Sequence, residues 1–440
     1  MTLSKQTITQ DFRRMSFDER VCDDLSEVLL QFLPIEDKFR FECVSKQFQR
    51  TVFQKQYDLD MYRIMKGKGD LHLYLAHFMN QNMKSSQLLE KFVKILPNIE
   101  SLNCWPISEA SDDSDIDIIV KYCHKLTKIH LNCDFNLISA EKRDSFATKF
   151  GPKLVSIIAR NGSLQWFREW FPKIEKLNLE DNWFQSHQLL SIRFNNLKKL
   201  SISVSDVGVE SGSDSASNSY FDESSQKIEN NFKKFIQNNK RLTHLSIYLD
   251  FKPNSMETVF KYMSQLDQLV SLNIGTEYMS HTIDGLRQLS SKCLKLKRLS
   301  VNYFDDSALI PSFMTEVKKF KTLERLWFGL RLEDYDDLQT FEEYFKGLQS
   351  LTHLAIYLLN IKHIKKDLLK DIDKSLPKLR VLRIRKASNE VSEETADSLA
   401  RLSKLEYIRL DVNNESIRDL IVNKVTKNCR KIKSIDIKVI

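Results

Sequence analysis

The sequence predicts an α/β solenoid in which parallel strands line one face and helices cover the other. The first observation is a recurring phrase, apolar-x-x-Leu/Ile-x-x-Leu/Ile-x-apolar, that runs from about residue 96 to the end of the chain. The second is its regular spacing, because from Leu242 onward the phrase returns every 26 to 28 residues. The third is that stretches with helical periodicity separate the copies. Together these features are typical of a repeat array.

Each copy of the phrase predicts one strand of the array. The wording Leu-x-x-Leu-x-Leu is that of leucine-rich repeats, whose units stack into a horseshoe with the strands on its concave side and the helices on its convex side. Each repeat buries its core against its neighbours, so the number of domains cannot be estimated from the chain length. The second apolar residues of the thirteen copies are Ile99, Leu126, Leu154, Ile174, Leu197, Leu242, Leu269, Leu296, Leu323, Leu351, Leu379, Leu405 and Ile432.

The stretches between the phrases predict the helices. Three clear examples are DDSDIDIIVKYCHKL (residues 112–126), SMETVFKYMSQL (255–266) and SEETADSLARL (392–402). Acidic and Ser residues at the starts of these stretches suit N-caps and the positive end of the helix dipole.

Composition indicates an ordered chain in a reducing compartment. Apolar residues make up 42% and charged residues 29%, which is typical of a water-soluble protein. The seven cysteines are an odd number without a C-x-x-C pair, so we expect no disulfide framework. The chain has neither an apolar leader nor an apolar stretch long enough to span a bilayer, and we therefore expect it in the cytoplasm or the nucleus.

The segments that precede and interrupt the repeats have their own predictions. Residues 1–20 are predicted to be a flexible arm, 21–56 a small all-α module, and 57–95 a helical linker that caps the solenoid of residues 96–440. The cap helices are expected over LHLYLAHFM (71–79) and QLLEKFVKIL (87–96). Residues at about 203–227 are rich in Ser and acids, and this composition predicts a disordered insertion.

The all-α module carries a motif between Val21 and Phe48. Apolar residues at helical spacing precede the turn Leu33-Pro34-Ile35-Glu36-Asp37, and the segment closes with Val44-Ser45-Lys46-Gln47-Phe48. The segment resembles an F-box without a gap over 28 positions. That family opens with Leu-Pro, turns at Leu-Pro-x-Glu-Asp and closes with Val-Cys-Lys-x-Trp. The departures are Val21-Cys22, Ser45 and Phe48.

The resemblance implies a docking module for a Skp-type adaptor and, through it, a cullin scaffold of a ubiquitin ligase. An alternative for any single residue is that it fills the module's own small core. The residues that the resemblance implies as adaptor contacts are Val21, Leu25, Leu29, Leu30, Leu33, Pro34, Ile35 and Val44.

The cysteines at three repeat junctions extend the resemblance to the F-box/leucine-rich-repeat family. Cys123, Cys293 and Cys429 each stand three residues before the aligned apolar residue of their phrase, as in the cysteine-containing repeats of that family. They lie many repeats apart, so we expect no metal site and interpret them as ordinary buried core.

The strand residues between the leucines are expected to form a target-binding surface, because side chains alternate along a strand. The copies from Leu242 onward are richer in Arg and aromatic residues, which are enriched at binding hot spots. The predicted target-binding residues are Tyr248, Arg298, Arg325, Trp327, Tyr357, Arg383, Arg385, Tyr407 and Arg409.

Two pairs of arginines suggest what this surface binds. Arg298 and Arg325 occupy equivalent positions on successive strands, as do Arg383 and Arg409, and like charges that face each other are destabilising. One interpretation is an acidic ligand, either a target segment with Asp, Glu or phosphate or the chain's own acidic insertion in an autoinhibitory contact. The other is a solvated sheet whose arginines stack on neighbouring Tyr or Trp side chains.

No catalytic motif accompanies these repeats. The sequence has no G-x-S-x-G, H-E-x-x-H, P-loop or dinucleotide-binding turn, so we expect a non-enzyme without cofactor or metal. The net charge of +8 comes with no nucleic-acid-reading motif, and we expect neither nucleic-acid nor membrane partners. The prediction is a substrate-recognition subunit of a cullin-based ubiquitin ligase. The alternative is a leucine-rich-repeat scaffold without a ubiquitin ligase role.

Overall fold

The protein, studied as a computed structural model, consists of two compact units. The first contains Met1–Asn182 and Phe194–Asn196, and the second contains Trp183–Arg193 and Leu197–Ile440. Within the chain, the structure describes residues 28, 33, 37, 46–62, 85–104, 114–131, 135–160, 162–205, 225–251, 253–276, 279–304, 308–331, 341–359, 363–364, 367, 369–385, 388–389 and 391–439.

The first unit is a parallel sheet of short strands joined by helices. Its strands pair in chain order, and Leu59, Leu102, Ile129 and Ile157 share one buried row across the first four strands. Its elements are α1 (Lys46–Lys55), β1 (Asp58–Asp60), α2 (Ser85–Ile95), β2 (Ser101–Asn103), α3 (Ser114–Tyr122), β3 (Lys128–His130), α4 (Ala140–Phe150), β4 (Ser156–Ala159), α5 (Leu164–Trp170) and β5 (Lys176–Gln185), whose last residues belong to the second unit.

The second unit repeats the same strand–helix alternation with longer strands. Its elements are a 3₁₀ helix (Ser186–Ser191), β6 (Lys199–Ser205), α6 (Ser225–Asn238), β7 (His244–Asp250), α7 (Pro253–Met263), β8 (Ser271–Thr276), α8 (Met279–Lys292), β9 (Arg298–Phe304), α9 (Leu309–Val317), β10 (Arg325–Arg331), α10 (Phe341–Phe345), β11 (His353–Leu359), β12 (His363–Ile364), α11 (Ile372–Ser375), β13 (Val381–Arg385), β14 (Ser388–Asn389), α12 (Glu393–Arg401), β15 (Tyr407–Val412), α13 (Glu415–Asn428) and β16 (Ser434–Val439).

The strand pairs that the structure describes within the second unit are all parallel. The main strands pair in the order β6-β7-β8-β9-β10-β11-β13-β15-β16, and the short β12 and β14 pair with each other beside β15. One leucine row runs in register from Leu200 to Leu382, and the register shifts once, between Phe328 and Gly329. The predicted α/β repeat fold is therefore confirmed, with one main strand per phrase.

The leucine phrases bury one face of each sheet. Twelve of the thirteen aligned apolar residues are at most 1% exposed, and only Ile432, in the last copy, is partly exposed. In β7 the odd-numbered residues Leu245, Ile247 and Leu249 are buried, whereas the even-numbered residues remain accessible. We call the accessible side of each sheet its outward face. Because the helices occupy the connections, they cover the buried side.

A buried polar contact ties successive repeats of the second unit together at the residue three positions before the aligned leucine. The Cys429 Sγ lies 3.6 Å from the carbonyl oxygens of Leu399 and Leu402 in the preceding repeat. Asn239 holds the equivalent position, and its side-chain amide donates to the carbonyl oxygens of Ile192 (2.6 Å) and Phe235 (2.8 Å). These side chains satisfy backbone acceptors that burial would otherwise leave unpaired.

The junction cysteines are structural. Cys123, Cys293 and Cys429 are buried free thiols, as the sequence predicts. Burial raises the pKa of Cys123 to about 12 and that of Cys293 to about 11. A thiol with so high a pKa is protonated at neutral pH and is a poor nucleophile or metal ligand. Within the described residues, no group of His, Cys, Asp and Glu side chains is placed to hold a metal ion.

The segment before the repeats differs in part from the helical linker predicted over residues 57–95. The helix predicted over QLLEKFVKIL is present as α2, but Asp58–Asp60 is a strand, because Leu59 is buried and the Tyr57 carbonyl accepts from Glu100 N (2.8 Å). The stretch LHLYLAHFM lies outside the described residues, as do residues 206–224 of the predicted insertion. β6 extends to Ser205 and α6 begins at Ser225.

Among the helices that the structure describes, none combines the length and the hydropathy needed to cross a bilayer.

Candidate target-binding surface

The outward face of the second unit brings several of the predicted target-binding residues together. Two rows of side chains cross strands β8 to β13, one at the start of each strand and one two residues further on. The first row is Ser271, Arg298, Arg325, His353 and Val381, and the second is Asn273, Ser300, Trp327, Ala355 and Arg383.

These two rows line an open depression of about 390 Å³, which we call the cationic depression. It contains Arg298, Arg325, Trp327 and Arg383 from the predicted set. Ala355 lies between Trp327 and Arg383 in the second row, and its small side chain leaves space above the sheet. The depression is therefore shaped by a gap between large side chains, and an incoming side chain can enter it from solvent.

The charge of the depression is one-sided. Its lining residues, from Ser271 to Arg383, include three arginines and one histidine but no Asp or Glu. Arg298 and Arg325 are paired in the strand register. In the part of the chain that the structure describes, neither guanidinium forms an ion pair or a hydrogen bond. Their hydrogen-bond donors are thus left for solvent or for a ligand.

The neighbouring row shows that this imbalance is local. One residue earlier in each repeat, Lys297 pairs with Glu324 at 2.8 Å. Glu406 accepts from Arg380 and from Lys433, the latter at 2.9 Å. The hydrogen bonds to Lys433 and Arg380 lower the pKa of the Glu406 carboxyl, which keeps it ionised. The acids of that row bond to the lysines and to Arg380. Glu324 also lies near enough to Arg298 and Arg325 for both charges to lower its pKa, but among the described residues it forms no ion pair with either.

His353 is a neutral member of the depression. Burial lowers its pKa to about 4, with further contributions from Arg325, Arg380 and Arg383. Its Nδ1 lies 2.8 Å from the Thr352 hydroxyl oxygen. An uncharged imidazole adds a polar group without adding to the repulsion among the arginines.

His244 repeats this arrangement on β7. The same Leu-Thr-His-Leu phrase places the Thr243 hydroxyl 2.9 Å from the His244 Nδ1. Burial lowers the pKa of His244, and Lys199 and Arg298 lower it further.

Other predicted residues form braced pairs beside the depression. The Arg385 guanidinium donates to the Tyr357 hydroxyl (2.8 Å), and the Tyr357 ring centroid lies 5.7 Å from that of Trp327. The Arg383 guanidinium lies over the Tyr407 ring at 4.7 Å from its centroid. The interpretation that arginines stack on neighbouring Tyr side chains thus describes Arg383 and Arg385, whereas Arg298 and Arg325 have no such contact among the described residues.

Arg409 has an acidic partner within the chain. Its Nε lies 3.2 Å from Asp436 Oδ2 on the next strand, as an ion pair without the alignment of a hydrogen bond. Arg409 also lies opposite Arg383 in the register, as the sequence predicts. Asp436 therefore forms an ion pair with one of the two predicted like-charge pairs. Arg298 and Arg325 form no ion pair among the described residues, although both interact electrostatically with Glu324.

A second aromatic contact lies elsewhere on the same outward face. The Trp183 and Tyr248 rings meet edge to face, with centroids 5.2 Å apart and planes at 86°. Tyr248 is in the predicted set, but Trp183 is not. Early in β5 the buried residues are the odd-numbered Leu177 and Leu179. Near the end of β5 the even-numbered Phe184 is buried, and the odd-numbered Trp183 is 46% exposed. The alternation therefore inverts within β5, and only the break in the pattern after Glu180 hints at it.

The first unit carries acidic side chains among the cations of the same two rows. Its strand-start row is Asp58, Ser101, Lys128, Ser156 and Lys176, and its second row is Asp60, Asn103, His130, Ile158 and Asn178. Asn103 donates to the Asp60 carboxylate (3.0 Å), and Asn178 donates to that of Glu180 (2.9 Å). Acidic side chains therefore accompany Lys128 and Lys176 on this face, whereas the residues that line the cationic depression include no Asp or Glu.

The predicted adaptor contacts lie mostly outside the described residues. This holds for Val21, Leu25, Leu29, Leu30, Pro34, Ile35 and Val44. Leu33 is described, is partly buried and packs against the buried Val52 of α1. Val28, in the same segment, is 47% exposed.

Comparisons with known proteins give structural likeness but no sequence match. No family model matches the chain, and no curated protein matches its sequence. A solved structure described as the Rad7 and Elc1 complex in yeast has a chain that is similar with a TM-score of 0.37 and 13% sequence identity. The match covers 100% of this chain and 95% of that one. The repeat architecture is established by the chain's own strand order and register.

Proposed function

We propose that this chain is the substrate-recognition subunit of a cullin-based ubiquitin ligase. The outward face of the second unit binds a protein target, and residues 21–48 dock the Skp-type adaptor that joins the chain to the cullin scaffold. The observation that supports target binding most strongly is the cationic depression, with its unpaired Arg298 and Arg325. The chain itself is non-catalytic, and its contribution is to hold a target near a charged ubiquitin carrier.

The size of the surface suits a protein partner. From Tyr248 on β7 to Arg409 on β15 there are six inter-strand steps, which span roughly 29 Å at about 4.8 Å each. Arg, Tyr and Trp are the residue types that dominate binding energy at protein interfaces. Several of these side chains are already held by contacts with each other, so binding costs less conformational entropy.

The charge of the surface favours an acidic target. Carboxylate and phosphate groups form strong, often bidentate, hydrogen bonds with guanidinium groups. A ligand of this type between Arg298 and Arg325 would remove their mutual repulsion. The chain's own acidic insertion is a second possible source of such groups. Deletion of residues 206–224 distinguishes the insertion from an external target. If the ligand is external, target capture is unchanged by the deletion.

Adaptor docking is supported by the F-box-like sequence and by the exposure of Val28. An apolar side chain that is 47% exposed next to Leu29 and Leu30 is available to a partner. Leu33 packs against Val52, and this contact favours a role for Leu33 in the internal core of the module over an adaptor contact. Variants that test docking should therefore spare Leu33.

Co-purification with a Skp-type adaptor tests the docking half of the proposal. We expect the wild-type chain to capture the adaptor and the Val28→Glu/Leu29→Glu variant to lose it. Ile95→Glu is the matched control, because Ile95 is 41% exposed but lies outside the module. If the wild-type chain captures no adaptor, the scaffold alternative is favoured.

Proximity labelling tests the target half. We expect Arg298→Glu/Arg325→Glu to lose a group of acidic proteins that the wild-type chain labels, while adaptor capture persists. Arg430→Glu/Lys431→Glu is the control with the same charge change, since both residues are exposed in the turn before β16. An unchanged set of labelled proteins would show that the depression does not bind the target.

A further inference from the structure

The Trp183–Tyr248 pair is an exposed aromatic contact on the face that carries the cationic depression. Trp183 is 46% exposed, and its ring meets that of Tyr248 at a centroid distance of 5.2 Å. Both residues belong to the second unit. Trp and Tyr are enriched among the residues that dominate binding energy at protein interfaces.

Gly275 leaves the space that the Tyr248 ring occupies. It lies opposite Tyr248 in the register, and a Cβ atom at Gly275 would stand 2.3 Å from Tyr248 Cδ2 and 2.7 Å from Asn302 Nδ2. The Tyr248 ring and the Asn302 amide therefore occupy the space that any other side chain would need. A glycine inside a strand commonly marks such a close approach. The absence of a side chain at residue 275 therefore allows the Tyr248 ring to take the position in which it meets Trp183.

The distance from the pair to the arginines matches a short peptide. Arg298 on β9 is in register with His244 on β7, two strands away. Tyr248 lies four residues after His244 on the same strand. With about 3.3 Å per residue and about 4.8 Å per strand, the diagonal is roughly 16 Å to Arg298 and roughly 20 Å to Arg325. An extended chain covers this distance in about five or six residues.

We infer that the second unit recognises an extended target segment in two parts, and this inference rests on the proposed function. An aliphatic or aromatic side chain of the segment packs against Trp183 and Tyr248. An acidic or phosphorylated side chain about five or six residues away binds Arg298 and Arg325. A cationic surface alone attracts many acidic proteins, and salt weakens this attraction. A fixed spacing between the apolar and the acidic side chain therefore adds specificity.

Selection from a random peptide library displayed on phage tests this inference with the full chain as bait. We expect wild-type selections to enrich Asp and Glu together with an apolar residue at a fixed spacing. Trp183→Ala and Tyr248→Ala should lose the apolar preference by at least tenfold in enrichment and keep the acidic one. Arg298→Glu/Arg325→Glu should lose the acidic preference.

Two controls make the outcome decisive. Leu294→Ala removes an apolar side chain that is 70% exposed in the turn before β9, and it should leave both preferences unchanged. Gly275→Ala should reduce the apolar preference by displacing the Tyr248 ring while Trp183 is retained. Circular dichroism confirms that each variant is folded.

The possible failures are distinguishable. Acidic peptides without a positioned apolar residue would overturn the two-part inference and leave the proposed acidic target standing. An apolar preference that survives in Trp183→Ala would also overturn it. Selections without any acidic enrichment would reject the acidic target itself.

Discussion

Arg298 and Arg325 lie opposite each other on adjacent parallel strands, and neither guanidinium pairs with an acidic side chain in the described part of the chain. The next row shows that the repeat is able to provide acids, since Lys297 has Glu324 at 2.8 Å. A like-charge pair lowers stability where it stands. The binding role that we propose for this pair would remove the repulsion, because an acidic ligand would lie between the two guanidinium groups.

Removing one of these charges should stabilise the protein. We expect Arg298→Ser to raise the free energy of unfolding by about 0.2–1 kcal/mol, because a cross-strand repulsion of that order disappears. Urea denaturation at low ionic strength measures the change, and high salt should reduce it through screening. Arg430→Ser, a matched loss of charge in an exposed turn, should have no such effect. A destabilised Arg298→Ser variant would mean that the guanidinium makes favourable contacts in solution.

The strand register was predictable from the sequence, whereas the charge partners were not. The leucines bury the same face in every repeat, so Arg298 and Arg325 had to be neighbours. Whether an acid meets each arginine depends on rotamers and on the next strand. Asp436 illustrates this, because it lies one repeat beyond Arg409 and relieves that charge. Trp183 was missed for a different reason, namely that the alternation of buried residues inverts within β5 before Phe184.

His353 should make the protein less stable in mild acid. Its pKa is about 4 in the folded chain, against an ordinary value of 6.5. Between these values the unfolded chain binds the proton more readily, so the free energy of unfolding falls as pH falls from 6.5 towards 4. The slope is at most about 1.4 kcal/mol per pH unit and is smaller here because His353 is partly exposed.

Urea unfolding at pH 7.5 and pH 5 measures this effect. We expect His353→Gln to lose less stability between the two values than the wild-type protein. His281→Gln, on helix α8, is the control and should retain the wild-type difference. In Arg325→Ser, the pKa of His353 followed by NMR should rise, because one of the neighbouring cations that lowers it is gone. An unchanged pKa would show that Arg325 does not contribute to the lowered pKa of His353.

Asn239 should be replaceable by the cysteine that other repeats use. Its amide donates to the carbonyl oxygens of Ile192 and Phe235 in a buried position. We expect Asn239→Ala to lower the free energy of unfolding by about 1–3 kcal/mol, because buried acceptors lose their donor. Asn239→Cys should cost less, since Cys293 and Cys429 place thiols near carbonyl oxygens at the equivalent position. Equal losses in the two variants would contradict a hydrogen-bonding role for the junction residue.

Asp436 should limit the affinity of the outward face for acidic ligands. Its carboxylate neutralises Arg409, which lies opposite Arg383 in the register. In Asp436→Asn the two arginines become available together, and we expect a short poly-glutamate peptide to bind about fivefold more tightly, on the order of 1 kcal/mol. Fluorescence polarisation at low ionic strength measures the affinity. Asp267→Asn makes the same change of charge in an exposed turn, so an equal gain there would attribute the effect to net charge. An unchanged affinity in Asp436→Asn would exclude Arg409 from the binding surface.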